Sequence, residues 1–390
     1  MLDFHRLHDQ FRDFSAYHVE DGQRRASRLE RACDALKGCA ENWESVRDEV
    51  ERAKPRALTA RLLDESPEHC GPACERPLAV TVVATDGSQI YPDRHVEPAC
   101  YLLNVSRIAF HYGTTEPPVM VAEPQLRYRE ADLQQLRSAD DLDPEHQMLD
   151  LNAEVVSAFR DEMELELLFQ TAELERQSAR PILAMADGTL IRWMIRGMKQ
   201  RKLEDKLVAR YVEVLERFRQ ARIPVCSYVS MPGNAELVNL LRFHLNEPED
   251  ADEDETLRGL LDRDLCAECL AIGERSAVFG SDSHVLKDYG ADLRICYFYV
   301  RTEQEVGRVE LPRWVASDPD LLDLVHAVVL DQAQKGGGYP IILQEAHERA
   351  VVRAPEKALF YQILERELQR QGLAGYATSG KALSKRAPRV

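Results

Sequence analysis

Two short apolar segments of the chain lead into the same three-residue pattern, an aspartate followed by a glycine and a hydroxyl residue. Residues 78–84 precede this pattern at Asp86, and residues 181–186 precede it at Asp187. Short apolar runs of this kind are typical of strands that are buried on both faces of a sheet. An aspartate at the carboxyl end of such a strand lies where α/β proteins bind ligands. The repeated pattern therefore predicts a buried sheet with a carboxylate at the end of each of two strands.

The remainder of the chain alternates between strand-like and helical patterns. This alternation predicts an α/β protein with a mixed sheet flanked by helices. Residues 1–62 have helical spacing, and the proline-rich residues 66–77 are typical of a linker. We therefore expect a helical N-terminal region and linker at 1–75, followed by one core at 76–390 with helical insertions. The further strand candidates are 223–229, 294–300 and 307–311, and the helix candidates are 152–178, 200–220, 234–245, 255–271, 318–334 and 355–371.

The charge of the chain limits how it can meet a polyanion. Its net charge is −17, with 50 Lys and Arg against 67 Asp and Glu. Such a charge repels nucleic acid at long range, so a function on DNA requires a local basic patch or a partner that delivers the DNA. Part of the acidity lies in residues 247–255, which we expect to form a solvated, mobile loop that takes no part in chemistry.

The apolar runs and cysteines indicate a cytoplasmic protein. No apolar run approaches the roughly 18 residues that cross a bilayer, and the first residues lack the layout of a signal peptide. The nine cysteines are an odd number and are expected to be reduced. Cys266 and Cys269 have the spacing of half a zinc site, with Cys70 and Cys74 as conceivable partners. The two pairs differ in spacing and lie far apart, which favours ordinary helix-borne thiols.

The doubled aspartate pattern is more informative than either copy. A single Asp-Gly is also a common turn dipeptide. If the two strands are neighbours, however, Asp86 and Asp187 converge, and two carboxylates arranged in this way select Mg²⁺ or Mn²⁺. The acidic segment 152–176 offers further carboxylates, most of which are expected on a solvated helix face.

A phosphatase is the competing interpretation of the second pattern. In haloacid-dehalogenase phosphatases an Asp-Gly-Thr-Leu sequence is preceded, two residues earlier, by the nucleophilic aspartate. Met185 stands at that position here. Because the covalent step then lacks a nucleophile, this interpretation is disfavoured.

Several motifs follow one another in a fixed order along the chain. They are Asp86-Gly-Ser, Arg160-x3-Glu164, Asp187-Gly-Thr-Leu190, the segment 223–242 with Ile-Pro-Val and Val-Asn-Leu-Leu-Arg, Gly273-Glu-Arg-Ser276, Arg308-Val-Glu-x-Pro312 and Gly338-Tyr-Pro-x5-Ala-His347. Taken in order, these motifs resemble the NurA family of nucleases, which work with the HerA translocase in DNA end resection. The resemblance covers the chain from about residue 79 to residue 352, and the eight-residue gap between Tyr339 and His347 makes the set specific.

The resemblance implies a ribonuclease-H-like core that uses Mn²⁺, with Mg²⁺ as a possible substitute. Asp86 and Asp187 would be the principal metal ligands and Glu164 a third carboxylate. His347 would be a late ligand or proton shuttle, and Tyr339 would be placed near the scissile phosphate. The interval from Glu164 to Asp187 is long for the family pattern, so Glu162 or Glu166 remains open as the third carboxylate.

The resemblance also implies a homodimer that processes DNA ends in double-strand break repair with a HerA-like hexameric ATPase. A non-catalytic DNA-end adaptor that stimulates the ATPase is the alternative, although such a protein would be free to lose the ligands that are present here. Positive charge follows the second aspartate, where it could hold a DNA backbone or equally form a solvated helix face. The residues are Arg192, Arg196, Lys199, Arg201 and Lys202.

Overall fold

The structure, a computed structural model, describes residues 4–72, 74–93, 99–134, 153–176, 180–192, 201–247 and 256–373. The strands are β1 Ala60–Leu62, β2 Cys70–Gly71, β3 Val80–Ile90, β4 Tyr101–Tyr112, β5 Val119–Arg127, β6 Ile182–Asp187, β7 Val225–Val229, β8 Arg275–Ser276, β9 Phe279–Ser281, β10 Ile295–Arg301 and β11 Val306–Pro312. The α-helices are α1 His8–Glu41, α2 Trp43–Ala53, α3 Glu130–Gln134, α4 Ala153–Glu175, α5 Arg201–Ala221, α6 Glu236–His244, α7 Asp262–Cys269, α8 Arg313–Ala316, α9 Pro319–Lys335, α10 Ile341–Ala350 and α11 Ala354–Arg370.

The chain divides into two compact units. Unit 1 contains residues 1–75, 228–287 and 294–330, and unit 2 contains residues 76–227, 288–293 and 331–390. The first boundary coincides with the end of the expected N-terminal region and linker. The grouping of residues 228–287 and 294–330 differs from the single core expected over 76–390.

Strand pairing over long sequence distances explains the grouping in unit 1. Within this unit β10 pairs antiparallel with β11, β9 and β8. The two short N-terminal strands complete the arrangement, because β1 pairs with β9 and β2 pairs with β8. Helix α1 packs on α6 and α7, burying Ala32, Leu36 and Cys39. The residues expected to be a linker therefore contain a paired strand.

Unit 2 has a mixed sheet with β3 at its centre. Strand β3 pairs antiparallel with β4 along its whole length and parallel with β6, while β4 pairs antiparallel with β5. In the order β7-β6-β3-β4-β5, strand β3 therefore has β6 on one side and β4 on the other. The first half of β3 is buried, as its apolar sequence predicts. Helix α4 packs on β3, β4 and β6, and α10 packs on β3 and β4.

Strands β4 and β5 are additional to the strands expected from the sequence. Strand β3 also continues four residues beyond Asp86 to Ile90, because β4 supplies backbone partners as far as the pair Ile90 with Leu102. Asp86 thus lies within a strand rather than at its end. Only the parallel pairing of β3 with β6 stops before Asp86.

The predicted helices are close to those observed. Helices α5, α9 and α11 begin and end within one or two residues of the predicted limits, and α7 is shorter than predicted, at Asp262–Cys269. Among the described residues, none of the helices has both the length and the apolar character required to cross a bilayer.

The first residue of the acidic run 247–255 differs from its expected solvated state. The Glu247 side chain is 2% exposed and forms an ion pair with Arg242, at 3.1 Å. Its carboxylate also accepts a hydrogen bond from the backbone N–H of Leu257, at 2.9 Å. Glu247 is therefore a structural residue of unit 1, whereas residues 248–255 lie outside the described residues.

We predict that Glu247→Ala will lower the free energy of unfolding by about 3 kcal/mol, because it leaves a buried backbone N–H and an arginine without their acceptor. Urea unfolding measures the effect. The matched control replaces the six acidic residues in 249–255 with Asn or Gln, and it should change stability by less than about 0.5 kcal/mol. Equal losses in the two variants would contradict the distinction between Glu247 and the rest of the run.

Candidate active site

Asp86 and Asp187 directly follow the last paired residues of two neighbouring parallel strands. Thr85 of β3 is paired with Ala186 of β6, and the aspartates come next on each strand. Adjacent strands are separated by about 4.8 Å, so the two carboxylates are neighbours. The convergence predicted from the repeated pattern is present in the structure.

Helix α10 and the segment just before it contribute one polar group to each aspartate. Nδ1 of His347 lies 2.9 Å from Oδ2 of Asp86, and the Tyr339 hydroxyl donates to Oδ1 of Asp187 at 2.7 Å. Tyr339 precedes the first residue of α10 by two positions, and His347 lies in the C-terminal half of that helix. The Tyr339 and His347 motif thus has a geometric reason: it brackets the aspartate pair.

Side chains of β3 and β4 hold the C-terminal end of α10 in place. Ser106 donates to the backbone carbonyl of Ala346 at 2.8 Å, and Asn104 donates to that of Ala350 at 2.7 Å. Ser88 donates to the same Ala350 carbonyl. The last carbonyls of a helix lack partners within the helix, so these bonds fix its end. They position His347 against Asp86, and this role of Ser106 and Asn104 was not predicted from the sequence.

Glu164 reaches the same region from α4. Its Oε1 atom lies 2.9 Å from Nε of Arg160, and both side chains pass directly over Gly87. A Cβ atom at Gly87 would lie 2.4 Å from Oε1 of Glu164 and 2.8 Å from Cγ of Arg160. Glycine is therefore required at this position for the close approach of α4. Gly188, by contrast, has a φ of +76°, which glycine adopts without strain.

The structure distinguishes the three glutamates that the sequence left open. Glu162 is bound to Arg210 at 2.8 Å, and Glu166 is bound to Arg217 at 2.5 Å. Both glutamates line a separate groove with Arg210. Of the three, only Glu164 lies beside the aspartates. The assignment of Glu164 as third carboxylate thus has geometric support over its two neighbours.

A fourth carboxylate, Asp161, was missed in the sequence analysis. It binds Arg160 at 2.8 Å and Arg192 at 3.4 Å. Arg192 was expected to contact DNA, but its side chain is only 14% exposed, and its guanidinium lies 4.4 Å over the ring of Tyr211. Arg192 therefore neutralises Asp161 within unit 2. Nothing in the spacing of the acidic helix marks Asp161 as different from its neighbours.

The structure does not describe the side chains of the other four predicted DNA-binding residues. Arg196 and Lys199 lie outside the described residues. Arg201 and Lys202 open α5, but their side chains are outside the description. A role for these four residues on DNA stays a prediction.

Crowding of like charges changes the acidity of the site. Limited hydration raises the pKa of Asp187, and the charge of Asp86 raises it as well, while the hydrogen bond from Tyr339 opposes the rise. The pKa of Glu164 is raised to about 8, first because burial disfavours the charged carboxylate and next because of the charge of Asp161. The Arg160 guanidinium opposes this shift. A divalent cation would relieve the same repulsion.

The donor atoms fit a divalent metal in their chemistry. Carboxylate oxygens with one imidazole nitrogen suit Mg²⁺ or Mn²⁺. Among the residues that the structure describes, no three His, Cys, Asp or Glu side chains are already gathered around one metal position. Each carboxylate is instead bonded to a neighbour of its own. Asp86 and Asp187 would have to exchange these bonds for a shared ion.

The fold and the site define an α/β protein with paired carboxylates at the point where two adjacent parallel strands cease to pair. The model of the NurA domain matches residues 80–352, which include all five candidate catalytic residues. The chain belongs to the NurA family. The predicted family and the predicted mixed sheet flanked by helices are confirmed.

Solved structures give a consistent picture of the fold. The crystal structure of the NurA nuclease from Sulfolobus solfataricus has 13% sequence identity and a TM-score of 0.50, and the match covers 95% of this chain and 98% of that chain. A match to LC9-RNase H1, a type 1 RNase H with the type 2 active-site motif, has 15% identity and a TM-score of 0.20 and covers 42% and 69% of the two chains. This second structural similarity is too low to inform the fold. No curated protein matches the chain.

We predict that Glu164→Gln will flatten the dependence of stability on pH in metal-free buffer. Because the folded-state pKa of Glu164 is about 8, folding takes up a proton at pH values between the ordinary glutamate pKa and about 8. Stability contributed by this group is complete at low pH and is lost as the pH rises through about 8. Relative to the parent, the variant should therefore gain stability from about pH 5 to about pH 8.

Urea unfolding at several pH values, with EDTA present, measures this trend. Glu162→Gln, two residues away on α4 and bound to Arg210, is the matched control and should follow the parent. The slope against pH is the readout, since a change in packing that does not depend on pH shifts both ends of the curve together. Identical slopes for parent and Glu164→Gln would show that Glu164 is charged across this range.

Proposed function

We propose that the protein is a metal-dependent nuclease that processes DNA ends and acts with a HerA-type ATPase. The observation that carries the proposal is the placement of Asp86 and Asp187 side by side, each with its own polar partner, His347 of α10 for Asp86 and Tyr339 just before α10 for Asp187. Membership of the NurA family and the fold likeness to the Sulfolobus nuclease support the reaction class. Mn²⁺ is the proposed ion, with Mg²⁺ as substitute, and a homodimer is the proposed assembly.

Asp86 and Asp187 would hold the metal, with Glu164 and His347 beside them. A bound divalent ion would activate a water molecule and stabilise the leaving oxygen of a phosphodiester. His347 is 61% exposed, so its free ring nitrogen can exchange a proton with solvent. Its contact with Asp86 orients the ring.

The other polar residues control charge at the site. Tyr339 holds Asp187 and would present its hydroxyl close to the scissile phosphate. Arg160 and Arg192 offset the charges of Glu164 and Asp161, which reduces the repulsion that a phosphate would meet. The arrangement requires little acid–base chemistry from the protein itself.

We predict that Asp86→Asn and Asp187→Asn will each reduce DNA cleavage by orders of magnitude and weaken Mn²⁺ binding, since the amide removes the charge that balances the ion. His347→Ala should impair cleavage less, because water can replace an exposed imidazole. Cleavage of end-labelled duplex DNA and calorimetry with Mn²⁺ measure the two effects.

Glu162→Gln is the control that keeps the helix and changes a carboxylate outside the site, and it should retain parental cleavage. In EDTA the two aspartate variants should be as stable as the parent or slightly more stable, because one of two neighbouring charges is gone. Full activity in either aspartate variant would refute the shared site. Parental protein that lacks metal-dependent cleavage but stimulates the ATPase would favour the adaptor.

We predict that the isolated protein will cleave DNA weakly and with steep salt dependence, because a net charge of −17 leaves only local patches for DNA. Adding a HerA-type ATPase should raise cleavage strongly. Rates measured at about 50 and about 200 mM salt, with and without the ATPase, check this expectation. Equal rates at the two salt concentrations without the ATPase would argue against delivery of DNA by a partner.

A further inference from the structure

Four cysteines that are distant in sequence come together in unit 1, whereas the carboxylate site belongs to unit 2. Cys33 lies on α1, Cys70 lies in β2, and Cys266 and Cys269 lie at the end of α7. Sγ of Cys33 is 3.9 Å from Sγ of Cys269. The Cys70 thiol points at the backbone carbonyl of Cys269, at 4.0 Å. Together the four thiols line one side of a cavity of about 680 Å³.

We infer that these four cysteines form a binding site for a structural Zn²⁺ ion, or for another thiophilic divalent ion of that size. In a tetrahedral zinc site with Zn–S bonds of about 2.3 Å, neighbouring sulfurs are about 3.8 Å apart. The observed separation of the Cys33 and Cys269 sulfurs, 3.9 Å, matches one edge of that tetrahedron. It is far longer than the roughly 2.05 Å of a disulfide bond.

The sequence spacing supports a second pair of ligands. Cys266 and Cys269 are separated by two residues, which is the spacing of many zinc-binding pairs, and they lie in the last turn of α7. From the sequence, Cys70 and Cys74 were conceivable partners of this pair, although ordinary thiols were favoured. Cys70 is near the pair, whereas the Cys74 thiol lies 3.6 Å from both Nδ1 of His326 and the carbonyl of Asp323. Cys33 takes its place.

The surroundings fit a cation that enters from the cavity. Carboxylates are more numerous than cationic groups along its wall, which favours the approach of a positive ion. A bound metal would displace the thiol protons, because the thiolate is the form that binds zinc. The charged wall residues are Glu30, Asp34, Lys37, Glu68 and Glu268.

The ion would stabilise the segment around Cys70. Among the described residues between 63 and 75, only the two residues of β2 form regular structure, so few backbone hydrogen bonds hold the segment that carries Cys70. Closing the tetrahedron requires rotation of the thiols, because no three of the described thiol, imidazole or carboxylate groups yet surround one point. A metal would then tie α1, β2 and α7 together. Two of the four ligands precede the residues matched by the NurA domain.

The test is metal content and cobalt spectroscopy on the full chain, purified under reducing conditions with added Zn²⁺. We expect about one zinc per chain, and replacement by Co²⁺ should give the intense absorption of cobalt–thiolate bonds. Cys33→Ser, Cys70→Ser, Cys266→Ser and Cys269→Ser should each weaken zinc binding at least tenfold. Cys74→Ser, a thiol of the same unit outside the cluster, should keep parental affinity.

Two further measurements keep the result unambiguous. Circular dichroism identifies any variant that fails to fold, and Asp187→Asn should keep the cobalt–thiolate band, because carboxylates of the nuclease site give no such band. Removing zinc with a chelator should lower the melting temperature of the parent but not of Cys269→Ser. The proposal is overturned if the reduced parent binds no zinc, if Cys74→Ser loses as much as the cluster variants, or if Cys33 and Cys269 are recovered as a disulfide.

Discussion

The parallel pairing of β3 with β6 is the interaction on which the site depends. Its register places Thr85 opposite Ala186, so the next residue on each strand is an aspartate and two like charges are forced together. Such a pair is unfavourable unless other groups compensate for it. His347, Tyr339 and Arg160 of α4 provide this compensation. The register of this strand pairing therefore explains why these polar groups surround the two aspartates.

The parts of the site that could be predicted from the sequence are those with a local signal. Asp86 and Asp187 each follow a short apolar run, and Tyr339 and His347 have a fixed spacing in the sequence. Strand β4 lacked such a signal because polar residues such as Asn104 and Ser106 interrupt its apolar pattern. Those residues are polar because they bind the end of α10, and this reason is visible only in three dimensions.

The sequence could not distinguish between residues of the same type in similar positions, and the structure was needed to separate their roles. Glu162, Glu164 and Glu166 are equivalent in composition and differ only in which side of α4 faces Gly87. Arg192 had the charge expected of a DNA contact, yet Asp161 and Tyr211 engage it. The grouping of β1 and β2 with β9 and β8 was hidden for a related reason, since each pairing joins residues that are some 200 positions apart. Periodicity within a short window carries no information about such partners.

The contact between His347 and Asp86 joins residues 261 positions apart, and this separation matters during synthesis. Both aspartates are present once residue 187 has been synthesised, but Tyr339 follows 152 residues after Asp187, and His347 follows later still. Because contacts between residues far apart in sequence are slow to form, these two hydrogen bonds are expected to form late in folding. The hydrogen-bonded form of the aspartate pair therefore exists only after almost the whole chain has been made.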